Sequence, residues 1–314
     1  MVPYVLKKCM NYFYSTKQIN KLNPYWLTGF VDAEGCFFLN INKSSSTKIG
    51  YSFTLGFKIS LHENDRGILE SIKTFFGVGK ISKHGIKSLQ YQVRSIEELK
   101  IIINHFNEYP LITQKRADFE LLKLAIEIIN NDEHKSIEGL NKLLSIKASL
   151  NLGLSEQLKK LFPNVVPVDR HKYINQKILN PNWLAGFING EGCFSCSVLH
   201  NPKSKLGETV ALSFTITQHL RDEELIKNFI DYLDCGSVYF HDSIIKFAVR
   251  DISNINNKII PFFDKYSLLG QKLEAFEIWK TIVEMVNNKD HLTPNGLIEI
   301  KKHQTMLNIG RKKS

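Results

Sequence analysis

One register runs through this 314-residue chain. Asn23-Pro24 recurs as Asn180-Pro181, Trp26 as Trp183, Glu34 as Glu191 and His62 as His219, each time 157 positions later. Gly79 and Gly236, Tyr109 and Tyr266, Lys115 and Lys272, and Gly139 and Gly296 keep that spacing. "LNLG" at 150–153 returns as "LNIG" at 307–310. The spacing slips by one residue between Arg94 and Arg250 and is restored by Tyr266. A unit this long excludes a solenoid, whose repeats run to about 20–50 residues. It predicts two domain-sized units related by a pseudo-two-fold axis, a homodimer fused into one monomeric chain.

The boundaries follow from the register. Residues 21–153 form the first unit and 180–314 the second. Residues 154–179 hold Pro163, Pro167 and several charges, have no counterpart and read as a linker. Residues 1–20 are basic with no acid, and read as a leader: a targeting or fused remnant, or a disordered segment. No apolar run reaches the roughly 18 residues of a membrane span, so no membrane partner is expected. Five cysteines, an odd number in so long a chain, make no disulfide framework and suit a reducing, intracellular compartment. Cys193 and Cys196 match CxxC, but on a strand they point to opposite faces. A net charge of +10 points to a polyanionic partner, nucleic acid foremost.

Each unit opens with a short apolar helix, 24–34 or 181–191. Asn23 and Asn180 suit the N-cap with proline at the first helical position, and Gly35 and Gly192 suit the end. Gly29 with Ala33, and Gly186 with Gly190, put small residues one turn apart, so another backbone can approach closely. The equivalent helix of the other half is the expected partner. Strict alternation at 51–60 and 208–217, with shorter stretches at 36–42, 88–94, 193–199 and 244–250, predicts half-buried antiparallel strands. Helical patterns follow at 63–77 and 116–130. The expected order in each half is helix–strand–strand–helix–strand–strand–helix, an α+β unit with helices on one face of a curved antiparallel sheet.

The opposite sheet face carries Asn40, Asn42, Ser52, Thr54, Lys58, Gln90 and Gln92 in the first half. In the second it carries Ser197, Thr209, Ser213, Thr215 and Lys246. These donors and acceptors are the kind that read base edges in the major groove, so two such faces predict a saddle for double-stranded DNA. If the two opening helices pack together, Glu34 and Glu191 emerge side by side at their C-terminal ends. There they repel each other and face negative dipole ends, a conflict that a divalent cation resolves.

"LTGFVDAEG" and "LAGFINGEG" resemble the LAGLIDADG motif of LAGLIDADG homing endonucleases, in the single-chain form with two motifs. The resemblance runs from about Asn23 to Gly310. It implies that Glu34 and Glu191 bind Mg²⁺, with the backbone carbonyls of Ala33 and Gly190 as further ligands. Mn²⁺ is expected to substitute and Ca²⁺ to support binding only. "YPLITQKRADF" and "YSLLGQKLEAF" resemble the segments bearing an active-site lysine, which gives that role to Lys115 and Lys272. "ITQHLRD" resembles the segment bearing a glutamine at the end of the second strand. This implies Gln218 as a catalytic residue, with Leu61 in its place in the first half. Asn189 departs from the motif where the first half keeps Asp32.

The function implied is Mg²⁺-dependent, site-specific cleavage of both strands of a long pseudo-palindromic DNA target. It would leave 3′ overhangs and promote mobility of a host intron. The resemblance also allows two other readings: a maturase that binds the host intron RNA, and a DNA-binding regulator that does not cut. The family is frequent in organellar introns. With the Ile-, Asn- and Lys-rich composition, that leans the expected location to mitochondria.

Overall fold

The computed structural model describes residues 22–174 and 176–309, so the expected leader lies outside the described residues. The first unit begins with helix α1 (Pro24–Glu34), whose N-cap Asn23 accepts from the amides of Tyr25 and Trp26 at 2.9 and 3.3 Å. Proline at the first helical position sacrifices no bond, because that amide has no partner within the helix. Gly35 ends the helix in an extended conformation (φ −72°), not the left-handed one common at helix ends, and strand β1 (Gly35–Lys43) begins at once. Glu34 therefore sits at a helix–strand junction with no loop to carry it away.

Strand β2 (Tyr51–His62), α2 (Arg66–Phe76), β3 (Lys80–Lys83) and β4 (Ser88–Val93) follow, and the sheet order is β1-β2-β4-β3, all antiparallel. The unit closes with three helices where the sequence pattern predicts one: α3 (Ile96–Glu108), α4 (Lys115–Asn130) and α5 (Ile137–Ser149). Phe37, Phe57, Tyr91 and Phe106, all fully buried, form the core between sheet and helices. The expected strands stand, within one or two residues at each end. The edge strand β3 had no apolar alternation to announce it, because only Ile81 of its four residues is part-buried against the core.

After α6 (Glu156–Leu161), the second unit repeats the plan. It runs through α7 (Pro181–Glu191), β5 (Gly192–His200), β6 (Glu208–His219), α8 (Glu223–Leu233), β7 (Ser237–His241) and β8 (Ile244–Val249), with sheet order β5-β6-β8-β7. Phe194, Phe214, Phe247 and Trp279 fill the equivalent core. A continuous helical stretch, α9 (Ile252–Asn254, Ile255–Ile259 and Ile260–Lys265), precedes α10 (Gly270–Asn287) and α11 (Pro294–Ile309). The middle part of α9 is a π-helix, and Pro261 follows it. This accounts for the one-residue slip. Tyr91 pairs with Ile59 in the first sheet and Phe247 with Ile216 in the second, so the loss already stands by β8. The π turn then admits one extra residue and brings the chain back into phase.

The two units meet along α1 and α7. A Cβ on Gly29 would lie 1.9 Å from the Trp183 carbonyl oxygen, and one on Gly186 would lie 1.9 Å from that of Trp26. The equal values in both directions are the signature of the pseudo-two-fold. At the C-terminal end, a Cβ on Gly190 would lie 2.5 Å from that of Ala33. The small-residue stripes expected from the sequence thus face each other. The 154–179 segment is ordered over its described residues: Leu158 is buried, and Phe162, Val165 and Val168 pack against the first core.

This seam yields a stability test. Gly29→Ala or Gly186→Ala forces two helix backbones apart and is expected to lose about 3 kcal/mol or more in urea unfolding, as overpacked cores do. Gly67→Ala, where an added Cβ meets nothing within 4 Å, is expected to stay within about 1 kcal/mol of the parent.

Candidate functional site

Glu34 and Glu191 come together at the ends of α1 and α7. A Cβ placed on Gly190 would lie 3.1 Å from Oε1 of Glu34. Both carboxyls are held above the ordinary glutamate range. Burial is the main cause for each; Asp65 adds to it for Glu34, and Glu34 itself adds to it for Glu191. The lysines Lys115 and Lys272 act in the opposite sense on both. Gln218 also lowers Glu191 through a side-chain hydrogen bond, and its first-half equivalent Leu61 instead packs against the first core. The asymmetry expected from the sequence is therefore an asymmetry in the hydrogen bonding of the two acids.

Lys115 is the first residue of α4 and reaches back to the end of α1. Its Nζ donates to the carbonyls of Val31 (3.0 Å) and Ala33 (2.9 Å). Lys272, the third residue of α10, donates to the carbonyls of Gly190 (3.4 Å) and Gly192. The negative end of each helix attracts a cation, and the Ala33 and Gly190 carbonyls lie where helix carbonyls run out of amide partners; the Val31 carbonyl accepts from the Gly35 amide as well. Burial pushes the Lys115 ammonium down, against the pull of Asp32, Glu34 and Glu191. The Ala33 and Gly190 carbonyls, expected as metal ligands, here accept from lysines, and each retains a second lone pair.

Among the described residues there is no cluster of three or more His, Cys, Asp or Glu suited to a metal. The donor set at the seam is two carboxylates and adjacent backbone carbonyls, all oxygen. That set fits a hard divalent cation which keeps water and takes substrate phosphate oxygens to complete its shell. It does not fit a closed thiolate or imidazole site, and Cys193 and Cys196 fall on opposite sheet faces, as expected.

Asp32 and Asn189 occupy equivalent places with different consequences. Asp32 is buried and accepts from the Ile112 and Thr113 amides (3.0 and 3.2 Å), the Thr113 hydroxyl (2.6 Å) and the Trp183 Nε1–H (2.8 Å). Burial lifts its carboxyl to about 6, while these bonds and Lys115 pull it down. Asn189 accepts from the Leu269 amide at 2.7 Å. Trp26, the equivalent of Trp183, has its buried Nε1 without a hydrogen-bond partner. The bond from Trp183 to Asp32 thus has no counterpart between Trp26 and Asn189.

The register puts all twelve expected DNA-facing residues on the sheet faces away from the helices. Asn40 lies opposite Thr54, Asn42 opposite Ser52, and Lys58 opposite Gln92. In the second sheet Leu199 faces Thr209, Ser195 faces Ser213, Cys193 faces Thr215 and Thr217 faces Lys246, with Ser197 on the same side. Asn40, Asn42 and Ser197 are exposed. Gln90 and Thr215 are buried in their sheets, and Gln90 donates to Ser60 at 3.0 Å. Two groups near the lysines were missed. Asp222 accepts from the Gln114 amide at 2.7 Å, and Asp65 from the Gln271 amide at 2.8 Å. Each acid thereby caps the lysine helix of the opposite unit, a contact 108 or 206 positions away in sequence. No local pattern signals it.

The tryptophans provide a measurement. Trp183→Phe removes a donor from buried Asp32 and is expected to cost about 1–3 kcal/mol more than Trp26→Phe, which removes a donor that had no acceptor. Equal losses in thermal or urea unfolding would contradict the assignment.

Comparison with known proteins agrees with this geometry. The LAGLIDADG endonuclease family matches residues 27–126 and 184–283, once in each unit. A probable intron-encoded endonuclease 3 of Neurospora crassa is 36% identical over 286 residues, covering 89% of this chain and 53% of that protein. An uncharacterised 50.9 kDa protein in ND4 intron 1 of Podospora anserina is 49% identical over 121 residues, 38% of this chain and 27% of the relative. The chain thus spans about half, or less, of the length of these curated relatives. The LAGLIDADG homing endonuclease I-SmaMI, solved bound to cleaved DNA, superposes with a TM-score of 0.90 at 41% identity, over 93% of this chain and 98% of that one. The meganuclease I-CpaMI, solved on uncleaved DNA, gives 0.89 at 41% identity over 91% and 99%. Two motifs, one per unit, meeting at a shared seam beneath paired polar sheets place the chain in the LAGLIDADG homing endonuclease family.

Proposed function

We propose that the protein is a site-specific endonuclease that hydrolyses one phosphodiester in each strand of a long, pseudo-palindromic DNA duplex. Its products would be 3′ overhangs, and its role the mobility of a host intron. One observation carries the reading: two acids, one from each unit, converge at a seam flanked by two polar antiparallel sheets. The pseudo-two-fold of the protein matches that of a duplex, and each acid faces one strand. The intron-encoded relatives, one of them in an ND4 intron, support a mitochondrial setting.

Glu34 and Glu191, with the Ala33 and Gly190 carbonyls, would hold Mg²⁺ or Mn²⁺; Ca²⁺ would support binding with little turnover. A divalent cation supplies Lewis acidity toward a phosphate oxygen and makes water a better nucleophile at neutral pH. The chain's own groups do the rest. Lys115 and Lys272, each anchored on helix-end carbonyls, place a positive charge where negative charge grows on the phosphate. Gln218, bonded to Glu191, orients water on one side only. The exposed residues of the two sheets contact base edges, while lysines and arginines bind phosphates and make affinity fall steeply with salt.

Incubation with a randomised duplex library and Mg²⁺ tests the reading. Cut ends of one sequence class are expected. Retention without cutting would make the chain a regulator, and selective retention of intron RNA would make it a maturase. Glu34→Gln and Glu191→Gln should each abolish double-strand cutting and leave DNA affinity within about threefold; unchanged cutting in both would refute the metal assignment. Because both carboxyls are raised, protonation competes with the cation above the ordinary glutamate range. Calorimetric Ca²⁺ binding to the free protein is therefore expected to weaken as pH falls from neutral toward the ordinary glutamate range, beginning above that range. Affinity that stays flat from neutral pH through the ordinary glutamate range would be inconsistent with these two acids as ligands.

A further inference from the structure

The segment joining the two units is wired into one active-site lysine helix and, among the described residues, has no counterpart at the other. Gln114, the residue before Lys115, is buried and bracketed on every polar group. Its amide donates to Asp222 of the opposite unit at 2.7 Å. Its side-chain amide donates to the Tyr173 carbonyl at 2.6 Å and accepts from the Tyr173 amide at 3.1 Å, a two-way clasp with the connecting segment. Its carbonyl accepts from Arg170 at 3.2 Å, and the same guanidinium bonds Asp118 at 2.6 Å. Gln176, also buried, donates to the Ile112 carbonyl at 2.6 Å and to Asp222 at 2.9 Å. At the equivalent place in the second unit, Gln271 is half-exposed and its amide is held by Asp65.

We propose that Arg170, Tyr173 and Gln176 form a clamp that positions Lys115, so that the connection between the units sets the cutting rate of one DNA strand. The inference rests on the endonuclease reading and on Lys115 acting in it. The physical reason is geometric. Lys115 must hold its ammonium at the end of α1 from the first turn of α4, where backbone bonds are fewest and fraying is easiest. Three bonds from the connecting segment and one from Asp222 stop that turn from fraying. A displacement of about 1 Å in a charged group near the reacting phosphate costs of the order of a hundredfold in rate. Arg170, Tyr173 and Gln176 are positioning residues: Arg170 and Tyr173 act on Gln114 directly, Gln176 acts through Ile112 and through Asp222, which holds the Gln114 amide, and Gln114 acts on Lys115.

The test uses the full chain, a duplex carrying the target found in the library selection, and a different label on each strand. Gln176→Ala is expected to slow cutting of one strand tenfold or more and leave the other within twofold, so that nicked duplex accumulates. Adding Lys115→Ala to Gln176→Ala should slow that strand no further than Lys115→Ala alone. In the free protein, hydrogen exchange at amides 114–118 should quicken about tenfold while 271–275 stay unchanged, which reads the clamp without any activity. Arg170→Ala is the second variant, with the same strand preference expected. Equal slowing of both strands, or unchanged exchange at 114–118 in both variants, would overturn the proposal. If Lys115→Ala itself leaves both strands cut at the parent rate, the role given to Lys115 fails and the proposal with it. If Lys115→Ala is strand-selective and both clamp variants are not, only the proposal fails.

Discussion

The approach of two helix backbones at Gly29 and Gly186 is the constraint on which the rest depends. With a Cβ at either glycine the helices cannot close, and the acids at their ends part with them. The close contact also removes water from the seam. Burial then raises both carboxyls and lowers the Lys115 ammonium. Packing at one end of α1 and α7 thus prepares the electrostatics at the other. The arrangement is unstable as bare charge: two acids sit at negative helix ends. The lysines of α4 and α10 offset this by bonding the carbonyls beside the acids.

Much of this was legible from repeated residues. The constant spacing announced two units, the glycine stripes announced the seam, and alternation at 51–60 and 208–217 fixed which residues share the polar face. Those signals are local and periodic, so each is readable without knowing what lies across the chain. The contacts that escaped are long-range and aperiodic. Nothing around Asp222 suggests that it caps a helix beginning at Lys115, and nothing around Gln176 suggests burial. Asn189 was visible as a departure from Asp32. The unpartnered donor on Trp26, in the other unit, was not. The edge strands β3 and β7 were expected in the element order but without bounds, for a different reason: largely solvent-facing strands carry little apolar alternation.

The two halves are thus symmetric in backbone and unequal in chemistry. Gln218 against Leu61, Asp32 against Asn189, and a clasped Gln114 against a half-exposed Gln271 fall on both sides of the centre. Fusion into one chain permits this. In a true homodimer every substitution appears twice, whereas here each half is free to specialise as long as the seam holds.

The π turn in α9 shows how such freedom is tolerated in length as well as in composition. The second unit is one residue short by β8 and regains that residue before Tyr266, so the chain leaves α9 in the register of the first unit. Had only the shortening occurred, the end of α9 (Ile260–Lys265) would be rotated by about 100° about its axis, since each α-helical residue advances the chain by one part in 3.6 of a turn. Ile260 and Phe263 would then turn away from the core they now fill. Chimeras that exchange the halves should cross over before Gly79 and Gly236 or after Tyr109 and Tyr266, because a junction between those points inherits one change without its partner.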